Sequence, residues 1–162
     1  MNLTQTRTPL PALLDDLADT GFADFHQRLN AAGHPSIRAG HGCVFRFIEE
    51  GGSRLTDLAE RSGLTKQAVA EVVAHLDELG YVERAPDPDD GRAKLIKLTQ
   101  RGGEARQTAL SIFAQIETEW AERFGAERIA AMRELLEEAR AGQGDARVLP
   151  FRPPSTPRTP PA

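Results

Sequence analysis

Between Leu55 and Ala74 the sequence runs LTDLAERSGLTKQAVAEVVA, two helical patterns with one glycine between them. The first is read as a short helix capped by Thr56 and the second as a longer helix capped by Thr65. Ala59 keeps the first helix thin enough for the second to pack closely, and Gly63 supplies the left-handed backbone of the turn. Leu64, Val69, Val72, Val73 and Leu76 form the buried stripe. An ordinary helical hairpin needs such a stripe too, but it has no need for Ala59, Gly63 and Val69 at these offsets. A helix-turn-helix does, and the segment therefore predicts a DNA-binding unit.

The residues after Ala74 extend the unit. HLDELG ends the second helix on Gly80, YVERAP reads as a strand, and AKLIKLT reads as another in which Ile96 and Leu98 share a face with Lys94. Two strands around a short loop, directly after a helix-turn-helix, make a wing. The loop itself, DPDDGRAKL from Asp87 to Leu95, is rich in carboxylates that a phosphate backbone should repel. Its acids are read as turn chemistry, with Asp87 and Pro88 opening the loop, Gly91 relaxing its tip, and Asp90 bracing the guanidinium of Arg92.

The run GLTKQAVAEVVAHLDELGYVERAPDPDDGRAKLIKLTQRG resembles the MarR (multiple antibiotic resistance regulator) family, above all in LGYVER, DPDDGRAKLIKLT and the T-x-x-G after it. The resemblance is specific from Leu55 to Gly103 and consistent in helix order from about Pro11 to Arg140. It implies a homodimeric regulator, usually a repressor of a pseudo-palindromic operator. It further implies relief by a small phenolic or lipophilic ligand, a metal or an oxidant, bound between the dimer helices and the winged domain. Arg92 matches the arginine with which family members probe the minor groove.

The flanking segments suit a dimer. From Pro11 to about Asn30, Leu14, Ala18, Phe22, Phe25 and Leu29 fall on one helical face. From Thr99 to Phe124 a helix of about 38 Å at 1.5 Å per residue carries Ala109, Phe113, Ile116, Trp120 and Phe124. After Gly125 a last amphipathic helix, Ala126 to Arg140, presents Ile129, Met132, Leu135 and Leu136. The residues expected between subunits are Leu14, Phe22, Phe25, Leu29, Phe113, Ile116, Trp120, Phe124 and Leu136. The alternative is that they fill an intrachain core.

The fold expected is thus mainly α with a minor α+β character: a winged helix-turn-helix with a two-stranded wing, flanked by N- and C-terminal dimerisation helices. Residues 1–10 are expected to be a flexible N-terminus and residues 11–141 a single winged-helix domain. Within that domain, 53–99 is the DNA-binding unit and 11–33 and 100–141 are the dimerisation helices. Residues 142–162 hold little apolar surface and are expected to be a disordered Pro/Arg-rich tail.

With the buried stripe removed, the second helix shows Thr65, Lys66, Gln67, Ala68, Ala70, Glu71 and His75 outward. Lys66 can donate to guanine or a phosphate and Gln67 can pair with adenine; Ala68 can touch a thymine methyl, and Glu71 either accepts from cytosine or sets an ion pair. Arg38, Arg54 and Lys94 are candidate phosphate contacts. From Arg54 to Arg106 nine basic residues face ten acidic ones, a net of −1, and the whole 162-residue chain carries −4. Specific contacts rather than bulk charge must carry binding, with marked salt sensitivity and weak nonspecific affinity.

Other classes fit less well. There is no G-x-S-x-G, phosphate-binding glycine loop or H-E-x-x-H, so neither an enzyme nor a cofactor or metal site is expected. The single cysteine, Cys43, suits a reducing compartment, and the absence of a signal-like or membrane-spanning run suits the cytoplasm. His41 and Cys43 are candidates for lining an effector pocket, although a lone helical cysteine is commonly a small buried hydrophobe. The partners expected are double-stranded DNA, a second copy of the chain, and a small aromatic or lipophilic effector. The second hypothesis is a winged-helix protein-interaction module without operator binding, favoured by the acidic balance and the alanines on the second helix.

Overall fold

A pair of prolines begins the first helix. The computed structural model describes residues 7–142, so residues 1–6 of the expected flexible N-terminus and residues 143–162 of the expected tail lie outside the described residues. Helix α1 (Leu10–Ala31) starts after Pro9, whose fixed backbone suits a helix entrance, and the chain turns away at Gly33 with φ 98°. A single 3-10 turn (Ala39–His41) leads into the short α2 (Gly42–Phe47), which buries Cys43 and Val44.

Then comes the helix-turn-helix. Strand β1 (Ser53–Arg54) precedes α3 (Leu55–Ser62), Gly63 turns in the left-handed region at φ 69°, and α4 (Lys66–Glu78) follows. The Thr65 hydroxyl accepts from the Ala68 amide at 3.2 Å, the expected cap. The expected cap of α3 is different: Arg54 holds that position with no side-chain cap, and Thr56 lies inside the helix, donating to Asp57 Oδ1 at 3.2 Å. Strand β1 is the reason, because its pairing with β3 fixes the chain up to Arg54 and leaves Leu55 to begin the helix.

Strands β2 (Val82–Asp87) and β3 (Asp90–Leu98) form the hairpin, from Val82 opposite Leu98 to Asp87 opposite Asp90, with an irregularity at Pro86 and Asp87. The sheet has three antiparallel strands in the order β1-β3-β2, one more than the expected two-stranded wing. A two-residue strand has no alternation to read.

Thr99 caps α5 (Gln100–Phe124) by accepting from the Gly102 amide at 3.0 Å, and Gly125 separates it from α6 (Ala126–Gly142). The core joins every element but α6, with Leu29, Val44, Leu58, Val69, Val73, Leu76, Tyr81 and Ile96 all but inaccessible. Each such aliphatic side chain contributes about 1.5–3 kcal/mol on removal from water. The buried Tyr81 hydroxyl lies 3.2 Å from His34 Nδ1 and accepts from Arg101 Nη2 at 3.3 Å, while that guanidinium covers the ring 4.5 Å from its centre. The entrance to β2, the α1–α2 connection and α5 are thereby fixed together. Arg28 of α1 donates to Glu119 of α5 from Nη1 and Nη2, each at 2.6 Å, locking those two helices side by side.

Candidate nucleic-acid interface

The first turn of α4 is a solvent-facing edge on a rigid base. Val69, Val73 and Leu76 are buried, and their spacing rotates Thr65, Lys66, Gln67 and Glu71 outward, all exposed, with Ala68 and Ala70 half-buried between them. Gln67 Nε2 donates to Glu71 Oε1 at 3.4 Å. Glu71 thus accepts from a neutral side chain on its own helix, which is neither the base contact nor the ion pair considered for it.

The wing is held by a buried carboxylate. Asp87 is only 5% exposed. Its Oδ2 accepts from Arg54 Nε at 2.7 Å and lies 2.6 Å from Arg54 Nη2, while its Oδ1 accepts from the Asp89 amide at 2.9 Å. The Asp89 amide and then the Arg54 guanidinium outweigh the cost of burial and hold the Asp87 carboxyl below its ordinary range. Strand β1 is thus tied to the turn of the hairpin, and the wing is fixed relative to α3 and α4.

Asp90 does not brace the Arg92 guanidinium as expected. Its Oδ1 accepts from the Arg92 main-chain amide at 3.1 Å, and its Oδ2 lies 3.8 Å from Arg54 Nη2. The reason is geometric. On an extended strand, residues two apart point the same way, but the tight turn brings Asp90 back over β1, where Arg54 already stands. The Arg92 side chain is left exposed near the wing tip, and Lys94 is exposed two residues on.

On the other side of α4 two histidines meet. His41 Nε2 and His75 Nδ1 are 3.0 Å apart, with the rings at 64°. His75, expected outward, is half-buried because it packs on this ring. His41 is 4% exposed, and its Nδ1 accepts from the Arg38 amide at 3.1 Å. Burial, then His75 and Arg38, push its pKa down to about 4. The buried Cys43 thiol donates to the Gly40 carbonyl at 3.1 Å, and burial pushes its pKa up, the opposite of what a reactive thiolate requires.

The MarR family model matches residues 38–93, which span the helix-turn-helix and most of the hairpin. Over that segment the chain is similar to the MarR family. Among curated relatives, an uncharacterised HTH-type transcriptional regulator of Bacillus subtilis, YdcH, is 40% identical over 60 residues, 37% of this chain and 41% of that protein. An HTH-type regulator of Mycobacterium tuberculosis is 35% identical over 68 residues, 35% of this chain and 48% of that protein. The chain thus spans less than half the length of the curated relatives it matches. Among solved structures, reduced MarR from E. coli aligns with a TM-score of 0.67 at 21% identity, covering 81% of this chain and 96% of that one. A mutant of S. aureus MepR bound to an oligodeoxyribonucleotide aligns with a TM-score of 0.58 at 20% identity, covering 83% of this chain and 98% of that one. The fold is shared along nearly all of both neighbours.

On this winged-helix frame the residues singled out in the sequence separate into groups. Lys66, Gln67, Arg92 and Lys94 stand on exposed surface of the winged unit, and Arg38 is exposed at the head of the 3-10 turn. Arg54 is committed to Asp87 before any phosphate arrives. His41 and Cys43 point their polar atoms at intrachain partners. The apolar set divides as well: Phe25, Leu29 and Ile116 are buried within one chain, whereas Leu14, Phe22, Phe113, Phe124 and Leu136 are exposed and Trp120 is half-buried. Phe25 stacks on Phe113 with centroids 4.2 Å apart, so an inner ring supports an outer one. Leu10, Leu13 and Leu17 extend the exposed row on α1, as Leu110 and Leu135 do on α5 and α6, the last at 63% exposure. Sequence reasoning passed over Asp87 as more than a turn residue, and His75 as an inward one. Asp87 meets Arg54 through a side-chain contact across the sheet rather than a register pairing, and nothing local in the sequence signals it.

Proposed function

We propose that this chain is a MarR-family, sequence-specific DNA-binding transcriptional regulator, a homodimer that represses from a pseudo-palindromic operator. The observation that carries the reading is the rigid connection between two exposed readers. The first turn of α4 presents Thr65, Lys66 and Gln67, and the Arg54–Asp87 pair holds the hairpin carrying Arg92 and Lys94 against the same unit. Helix α4 enters the major groove, where Lys66 and Gln67 meet base edges and Ala68 a thymine methyl. Arg92 enters the adjacent minor groove, attracted by its negative potential, and Lys94 and Arg38 take phosphates.

The second copy covers the apolar surface that one chain leaves open. Within the described residues α6 buries none of its own side chains, and α1 and α5 leave leucines and phenylalanines exposed beside it. Contiguous apolar surface of this kind marks an interface. A two-fold axis through it sets two α4 helices on half-sites about 10 base pairs apart. Release by a small aromatic or lipophilic effector, and a cytoplasmic site of action, complete the reading; no helix among the described residues is long and apolar enough to cross a membrane. Selection from a randomised duplex pool, with mass measurement of the bound species, tests it. Enrichment of an inverted repeat bound by two chains supports it. A chain that enriches no duplex is instead a winged-helix protein-interaction module.

A further inference from the structure

The proton arrangement at the His41–His75 contact is dictated by its neighbours. A backbone amide can only donate, so His41 Nδ1, which accepts from the Arg38 amide at 3.1 Å, carries no proton. Neutral His41 then has its proton on Nε2 and donates it to His75 Nδ1, 3.0 Å away. His75 Nδ1 is therefore bare as well, and its proton sits on Nε2. Every site at which either ring could take a second proton is already occupied by a donor. Acid must break the Arg38 contact or the contact between the rings.

We propose that His41 is a positioning residue for DNA recognition: through this uncharged clamp on His75 it holds the C-terminal half of α4 to the α1–α2 connection, and acid releases it. The inference rests on the operator-binding reading. His75 is half-buried, eight residues after Gln67 on one continuous helix, so motion at His75 turns the reading edge with it. His41 is anchored in turn by its place in the 3-10 turn against the core.

The surroundings offer little to compensate an added proton. The charged and titratable groups acting on His41 are His75 from α4, Arg38 at the head of the 3-10 turn and His26 from α1, none of them acidic. From α2 the Cys43 thiol donates to the Gly40 carbonyl. On α4 itself Glu71 and Glu78 lie a turn to either side of His75, and Glu71 accepts from Gln67. Protonation thus adds donor-to-donor and like-charge repulsion in a buried place.

The sign of the effect is distinctive. Added positive charge alone strengthens binding to a polyanion as pH falls, whereas the clamp predicts weakening. The test uses the full chain and a duplex enriched from a randomised pool at about pH 7.5, with affinity measured there and at about pH 4 at fixed ionic strength. Wild type should weaken roughly twofold at about pH 4, where about half of the His41 rings carry a second proton. In His75→Gln the carboxamide oxygen accepts from His41 Nε2 and takes no proton, so its ratio of affinities at the two pH values should show no such loss. Equal weakening in both proteins, or tightening of wild type, overturns the proposal. Nitrogen-15 NMR of the imidazoles is the second measurement: His41 should be bare at Nδ1 and protonated at Nε2 near neutrality, and the reverse tautomer overturns the clamp. Failure to enrich any duplex overturns the operator reading and the recognition role with it, whereas parallel pH profiles on a bound duplex overturn the clamp alone.

Discussion

Gly102→Ala should destabilise the protein even though it puts a better helix former into a helix. Gly102 is in the first turn of α5, donating its amide to Thr99 Oγ1. A Cβ built there would overlap the Tyr81 carbonyl oxygen and lie 3.2 Å from Leu98 Cδ2. That oxygen cannot retreat freely, because it accepts from the Thr99 amide at 3.1 Å and belongs to a wholly buried residue. Forcing a methyl into such packing costs about 1–3 kcal/mol or more. Replacing glycine by alanine returns about 1 kcal/mol of helix propensity, which the backbone overlap exceeds. A net loss of up to about 2 kcal/mol should lower Tm by up to about 8 °C at roughly 2–4 °C per kcal/mol. Calorimetry of the variant beside Gly103→Ala decides the matter. Gly103 has open space where its Cβ would sit, so that change should raise stability by up to about 1 kcal/mol. If both variants are stabilised alike, the close approach of α5 to Tyr81, just ahead of β2, is wrong.

Arg92→Ala should weaken operator binding by about 1–3 kcal/mol while the dimer mass is unchanged in light scattering; unaltered affinity would count heavily against the wing. Asp87→Asn should weaken operator binding through a loosened wing with little effect on dimer mass, and Asp90→Asn should do less, because Arg54 lies closer to Asp87; gel-shift titration of the two variants gives the order, and equal losses would deny the brace. His41 is held neutral at about 4, so an unfolded chain takes up its proton near the ordinary value of about 6.5 before the folded one can. Stability from this group is complete above that value and falls as pH drops toward 4, by about 1–2 kcal/mol at pH about 5, readable as a lower urea midpoint that His41→Gln no longer shows. The Asp87 contribution, from a carboxyl held below its usual range, is lost only at lower pH, so the two windows separate. Leu136→Asp, on a helix that buries nothing within one chain, should halve the mass in solution while leaving the monomer's secondary structure unchanged by circular dichroism.

Much of this molecule was legible where one residue decides one conformation. Gly63, Gly80 and Gly125 take positive φ where the helix patterns stop, and Thr65 and Thr99 accept the hydrogen bonds that start α4 and α5. The stripe of α4 was readable because its period is that of a helix packed on one side. Features that depend on a partner far along the chain were not. Thr56 looks like a cap until β1 pairs with β3 and hands the position to Arg54. Phe113 and Ile116 look like one stripe on α5, yet Ala105, Ile112 and Ile116 turn inward while Phe113 stays at the surface. A helix in contact with two bodies carries two apolar faces, and spacing alone does not say which body each one meets. The wing shows the same limit: Asp90 is two residues from Arg92 in sequence, but the turn delivers it to Arg54, and Asp87, the acid that holds the loop, is the one most deeply buried.

The central claim is that α4 and the wing read two half-sites as one dimer. Footprinting on the enriched duplex tests it most directly, with guanine methylation reporting the major groove and hydroxyl radicals the minor groove. Two protected major-groove tracts about one helical turn apart are expected, flanked by minor-groove protections that vanish in Arg92→Ala while the major-groove tracts persist. A single unbroken footprint of the same strength on random duplex would contradict it.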